Sequence, residues 1–117
     1  MKKIYYLSTC NTCTRIIGLL HINDDCDLHD LKTEPLTSDQ LEELYAFTGS
    51  YEALFNKRAR LYKERNLKDQ NLQESDFKKL LLEHYTFLKR PVVIIGDKVF
   101  IGNSKATVQD LVLHSNV

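Results

Sequence analysis

Apolar and polar positions change rhythm several times along this chain, and the changes divide it into elements. Lys2 to Leu7 is rich in β-branched and aromatic residues, the Tyr5-Tyr6 pair among them, and predicts a first strand before the polar Ser8-Thr9. Asn11 to His21 follows with Ile16, Ile17, Leu19 and Leu20 at helical spacing. Gly18 sits inside that helix, where a close packing contact would account for it. Asn23-Asp24-Asp25 predicts a turn. Cys26 to Leu31 begins with alternation, Cys26 and Leu28 on one face and Asp27 and His29 on the other, and predicts a second strand.

From Lys32 the pattern becomes helical. Thr37 and Gln40 have the spacing of a reciprocal cap, Leu36 and Leu41 that of a hydrophobic staple, and Gly49 ends the helix. Tyr51 to Phe55 predicts a short helical turn. Lys57 to Arg65 predicts another helix, ending at Asn66. Ser75 is the expected cap of a further helix with Phe77, Leu80, Leu81, His84 and Tyr85 on one face. Arg90-Pro91 then leads into Val92-Val93-Ile94-Ile95, a buried-strand pattern. Gly96-Asp97 is a two-residue turn to the strand Lys98 to Ile101. Gly102-Asn103-Ser104 breaks the strand, and Lys105 to Leu113 is a last helix with Ala106, Val108, Leu111 and Val112 apolar.

The order β-α-β, several helices, β-β-α predicts an α/β, thioredoxin-like fold. Its mixed four-stranded sheet would carry an all-helical insertion between the β-α-β and β-β-α halves. One domain is expected over residues 1–117, with the core in 1–31 and 89–117 and the insertion in 32–88. A length of 117 residues suits one core and is short for two.

Charge narrows the partners. Sixteen Lys and Arg balance sixteen Asp and Glu, so nothing global points to direct nucleic-acid binding or to an anionic membrane. No apolar run approaches the roughly 20 residues a bilayer demands. Residues 4–7 are too short for a secretory leader and read as the first strand. Three cysteines form no regular framework, which predicts reduced thiols and a cytoplasmic setting.

The chemistry concentrates at Cys10-Asn11-Thr12-Cys13, between the first strand and the first helix. A cysteine there lies beside backbone N–H groups with no intrahelical partner, which favours thiolate over thiol. A second sulfur three residues on lies one turn away and can resolve a mixed disulfide. Cys10-x2-Cys13-x12-Cys26-x2-His29 also matches the spacing of a Cys3His zinc site. An apolar helix between the pairs argues against that site, as do Cys26 and His29 on opposite faces of a strand. No metal is therefore expected, and Cys26 reads as a core residue of the second strand. His21, His29, His84 and His114 read as surface or helix-end residues. Lys57-Arg58-Ala59-Arg60 is a basic cluster, either a solvated helix start or a docking patch for an acidic partner.

With these elements in order, the chain resembles the arsenate reductase-like (ArsC/Spx/YffB) family over nearly its whole length. The resemblance rests on Cys10-Asn11-Thr12-Cys13-Thr14-Arg15, on Leu54-Phe55-Asn56 in the insertion, and on Leu88-Lys89-Arg90-Pro91-Val92-Val93. It implies Cys10 as nucleophile, Cys13 as resolving thiol, Arg90 as a substrate-binding arginine and Pro91, in cis, as shaper of the site. Thr12, Arg15 and Asn56 are further candidates for substrate contact. The arsenate-reducing members use two more arginines, and the aligned positions here are Asn56 and the Gly102-Asn103 turn, with Arg58 or Arg60 nearby as substitutes. This departure favours thiol–disulfide chemistry, and the resemblance keeps arsenate as a candidate. It also implies no bound cofactor and glutathione or thioredoxin as electron donor. Some members resemble redox switches that bind RNA polymerase, which is the alternative function.

Overall fold

The computed structural model describes residues 2–20 and 26–115. The elements are β1 (Lys2–Tyr6), α1 (Asn11–Gly18), β2 (Cys26–Asp30), α2 (Ser38–Thr48), α3 (Arg60–Glu64), α4 (Glu74–Glu83), β3 (Val92–Ile95), β4 (Lys98–Ile101) and α5 (Lys105–Ser115). Short 3-10 segments lie at Glu52–Leu54, Leu67–Gln70 and Tyr85–Phe87. The chain forms two compact units, Met1–Glu34 with Arg90–Val117, and Pro35–Lys89.

The first unit is built on a four-stranded sheet in the order β2-β1-β3-β4. β1 runs parallel to β2 and antiparallel to β3, and β3 and β4 form an antiparallel hairpin. This is the thioredoxin-like arrangement expected from the element order. Register places Ile4 opposite Val93, and Val93 opposite Phe100. These side chains pack with Ile16 of α1 and Leu111 of α5 into one buried cluster. Tyr5, Val92 and Ile94, on the opposite face by the two-residue period, are also buried. Strands buried on both faces explain the near-continuous apolar runs in β1 and β3.

The hairpin turns as expected. Ile95 pairs with Lys98, and Gly96 has φ 60°, a conformation costly for any side chain. Ser104 caps α5, its Oγ accepting from the Thr107 N–H at 3.2 Å. Of the four expected apolar positions of α5, Ala106 is exposed, while Val108, Leu111 and Val112 are partly or fully buried.

Several expectations are corrected. α1 ends at Gly18, because the N–H groups of Leu19 and Leu20 bond three residues back, to Ile16 and Ile17, and tighten the last turn. Its expected continuation to His21 and the turn at residues 23–25 lie outside the described residues. A Cβ at Gly18 meets no described atom within 4 Å, so no close contact accounts for that glycine. β2 forms where predicted, but its burial does not alternate: at the sheet edge Leu28 stays 47% exposed, while His29 and Asp30 are half-buried. His29 is half-buried rather than a surface residue. Its ring stacks on Tyr5 at 5.0 Å, and its Nε2 is buried without a hydrogen-bond partner among the described residues.

In the second unit, α2 is the most locally determined element. The Thr37 Oγ1 accepts from the Gln40 N–H at 3.1 Å, and the Gln40 Oε1 accepts from the Thr37 N–H at 2.9 Å. Gly49, at φ 67°, donates its N–H to the Tyr45 carbonyl and ends the helix. α3 is shorter than expected because residues 56–59 form a turn: the Asn56 Oδ1 accepts from the Arg58 N–H at 3.0 Å. α4 is capped by Gln73, not Ser75, and the Gln73 N–H donates to the Asp76 carboxylate at 2.8 Å. Phe55 centres the aromatic core of this unit, stacked on Phe87 at 5.2 Å and edge-on to Phe77 and Tyr62.

Candidate active site

The site begins where β1 stops. The Cys10 N–H donates to the Leu7 carbonyl at 2.9 Å and closes the turn Leu7-Ser8-Thr9-Cys10. The Thr14 N–H donates to the Cys10 carbonyl at 3.1 Å and starts α1. Cys10 is therefore the N-cap of that helix, with extended backbone at φ −95° and ψ 112°. Its thiol is half-buried, and its sulfur sits where an acceptor serves orphan N–H groups.

Two sulfurs a turn apart behave oppositely. Burial raises the Cys10 pKa, but the Cys13 backbone N–H and thiol, the Arg90 charge and the Thr12 backbone together outweigh it and hold the thiol below its ordinary range. Cys13 is fully buried, and that burial, helped by the Cys10 hydrogen bond and charge, pushes it up to about 11. One thiol is thus shifted towards its thiolate, while its buried neighbour is shifted towards the protonated form.

Arg90 enters from the start of β3, ahead of a cis peptide bond to the buried Pro91. The backbone there is tied to the turn after β4. The Gly102 N–H donates to the Pro91 carbonyl at 2.9 Å, and the Asn103 Nδ2 to the Arg90 carbonyl at 3.4 Å. The Gly102-Asn103 turn, where a further arginine was sought, thus holds the backbone that carries Arg90.

The structure brings Cys10, Thr12, Cys13 and Arg90 together in the sheet unit, with Pro91 joined to Arg90 by the cis bond. Thr12 acts on Cys10 through its backbone. Arg15 is exposed on α1, roughly 140° around the helix from Cys10 at 3.6 residues per turn. Asn56 belongs to the other unit, and its polar atoms are committed there. Its N–H donates to the Phe87 carbonyl at 2.7 Å and its Nδ2 to the Thr86 carbonyl at 3.5 Å. Among the described residues no group of three His, Cys, Asp or Glu side chains is placed to hold a metal ion, and no helix is long and apolar enough to cross a membrane.

Asp30, at the end of β2, is the site residue that sequence reasoning missed. Its Oδ1 accepts from the Ser8 N–H at 3.1 Å and from the Lys32 N–H at 3.0 Å. A hydrogen bond from the Ser8 side chain, together with these two backbone bonds and the Lys32 charge, holds its carboxyl below the usual carboxylate range. Asp30 thus fastens the residue two before Cys10 to the neighbouring strand. Its spacing to Lys32, an Asx-turn signature, was the one local hint.

Known proteins share the fold and parts of the sequence. A transcriptional regulator from Bacillus anthracis, Spx 2, is 25% identical over 105 residues, covering 87% of this chain and 79% of its own. An arsenate reductase from Haemophilus influenzae is 39% identical over 51 residues, 44% of each chain. An arsenate reductase structure from Vibrio cholerae superimposes with a TM-score of 0.75 at 23% identity, covering 97% of this chain and 96% of that one. The model of the ArsC family matches residues 5–111. The chain belongs to the ArsC family.

Proposed function

We propose that this protein is a thiol-dependent oxidoreductase in which Cys10 attacks and Cys13 resolves. The observation that carries the reading is the opposite treatment of the two sulfurs. A thiolate favoured at a helix N-terminus beside a buried, protonated thiol is the arrangement that thiol–disulfide exchange requires. In the first step the Cys10 thiolate attacks one sulfur of a substrate disulfide. A Cys10–substrate disulfide forms, and the other half leaves as thiolate. Cys13 then gives up its proton to solvent and attacks the Cys10 sulfur, expelling the second half as thiolate. The substrate gains two electrons and the cysteine pair loses two. Neutralising Cys10 in the mixed disulfide removes the charge that helped to hold the Cys13 proton, so the second thiol is activated only after the first step.

Arg90 supplies positive charge to the attacking sulfur and to a glutathione carboxylate or an oxyanion beside it. Thr12 contributes through its N–H, and Pro91 shapes the wall from which Arg90 projects. Disulfides and glutathione adducts need no trio of arginines, so they are the favoured substrates over arsenate. Glutathione or thioredoxin in a reducing cytoplasm re-reduces the pair, and no bound cofactor is involved. The test is a reductase assay with a model disulfide and with arsenate, each coupled to glutathione or thioredoxin. Disulfide turnover exceeding arsenate turnover is expected, and absence of turnover with every pair overturns the proposal.

The similarity to the B. anthracis regulator supports a second reading, a redox switch acting on RNA polymerase through protein contact. A pull-down with RNA polymerase under reducing and oxidising conditions separates the two. Stoichiometric, redox-dependent capture without turnover favours the switch.

A further inference from the structure

Charge is unevenly spread along this neutral chain. Residues 57–68 hold six of the sixteen Lys and Arg residues and one of the sixteen Asp and Glu, so the remainder is net acidic. All six cations are exposed. Lys57 pairs with Glu52 at 2.6 Å and Arg65 with Glu83 at 2.8 Å. Lys63 and Lys68 make no ion pair among the described residues.

The stretch is also concave. Lys57, Tyr62, Lys63, Asn66 and Lys68 line a cavity of about 320 Å³ within the helical unit. Asn66, at φ 54°, reverses the chain between α3 and the 3-10 segment Leu67–Gln70, which lets Lys63 and Lys68 face one space. No carboxylate lines it. Three lysines, a tyrosine and an asparagine thus border one recess, and of the lysines only Lys57 has an acidic partner among the described residues. That volume lies at the small end of the roughly 300–1,000 Å³ range of ligand sites. Lysine meets compact phosphates as a mobile point charge with three donors, while arginine suits planar, forked contacts.

The geometry points to a binding site for a compact diphosphate group, held by Lys63 and Lys68 with Lys57, Tyr62 and Asn66 at its rim. Two lysines without acidic partners offset two or more negative charges in one small, open recess, whose volume takes a compact anion whole. A diphosphate can arrive free or as part of a nucleotide, and the chemistry recognised is the same.

The experiment is an amide NMR titration of the full chain with sodium pyrophosphate at constant ionic strength, repeated with ADP. Saturable shifts centred on residues 57–68 are expected. Affinity should weaken at least tenfold in the Lys63→Gln/Lys68→Gln variant, persist in Lys63→Arg/Lys68→Arg, and fall with added salt. Tighter binding of ADP identifies a nucleotide source, and equal or weaker binding identifies free diphosphate. The inference is overturned by unsaturable shifts, by shifts spread over all exposed lysines, by unchanged affinity in the glutamine variant, or by a poly-glutamate peptide that displaces pyrophosphate at lower concentration.

Discussion

In the helical unit, element ends are fixed by neighbours three or four positions away. Thr37 and Gln40 start α2, Gly49 stops it, and Asp76 reaches back to Gln73. In the sheet unit the decisive contacts come from afar. Asp30 holds Ser8 from 22 positions along the chain, and Arg90 acts on Cys10 from a segment still more distant in sequence. Local codes make scaffold, while the reactive sulfur is prepared where distant segments converge. The helix N-terminus alone supplies a favourable cap position, and a lowered Cys10 pKa takes Cys13 and Arg90 as well.

The comparison breaks most sharply at Cys10. Cys10→Ser is expected to remove disulfide reduction by two orders of magnitude or more, read in the coupled assay, while the far-UV spectrum is unchanged. In the helical unit the largest effect is on folding. Phe55→Ala removes the ring at the centre of three aromatic contacts and should cost about 3–5 kcal/mol in chemical denaturation, because the cavity cannot fully collapse.

Smaller changes sharpen the electrostatic side. Cys13→Ala and Arg90→Gln should both raise the Cys10 pKa, the former more, because Cys13 contributes more to the lowering than Arg90 does. The pH dependence of iodoacetamide alkylation measures this, its midpoint moving up in each variant. Cys13 itself gives a stability signature. Its pKa is raised from 9.0 to about 11 in the fold, so its contribution is complete below pH 9 and is lost as pH rises towards about 11. The stability difference between wild type and Cys13→Ala should therefore shrink across that window in denaturant titrations. Thr37→Ala, with one side of a reciprocal cap removed, should cost about 1 kcal/mol and leave alkylation untouched.

The same contrast explains what was legible in the sequence. Four strands, their order and the helix between Thr37 and Gly49 could be read because periodicity and capping residues are local. The strand-to-helix position of Cys10 could be read for the same reason. The early end of α1 could not, since Leu19 and Leu20 prolong the apolar pattern while their N–H groups fold back by three residues. Gln73 displaced Ser75 as cap because Gln is a rare choice whose value lies in Asp76. The 3-10 segment Leu67–Gln70 is bracketed by left-handed Asn66 and Asn71 and has no periodicity to reveal it. Asp30 and His29 escaped for a different reason. Their partners, Ser8 and Tyr5, lie on a strand or turn that only sheet pairing brings near.

The account turns on a division of labour between two sulfurs, and mass-mapped trapping tests it most directly. Cys13→Ser and wild-type protein are each exposed to glutathione disulfide, quenched in acid and digested. The prediction is a glutathione adduct on Cys10 that accumulates in Cys13→Ser, and a Cys10–Cys13 disulfide with little adduct in wild type. An adduct borne by Cys26, or equal adduct on Cys10 in both proteins, would contradict it.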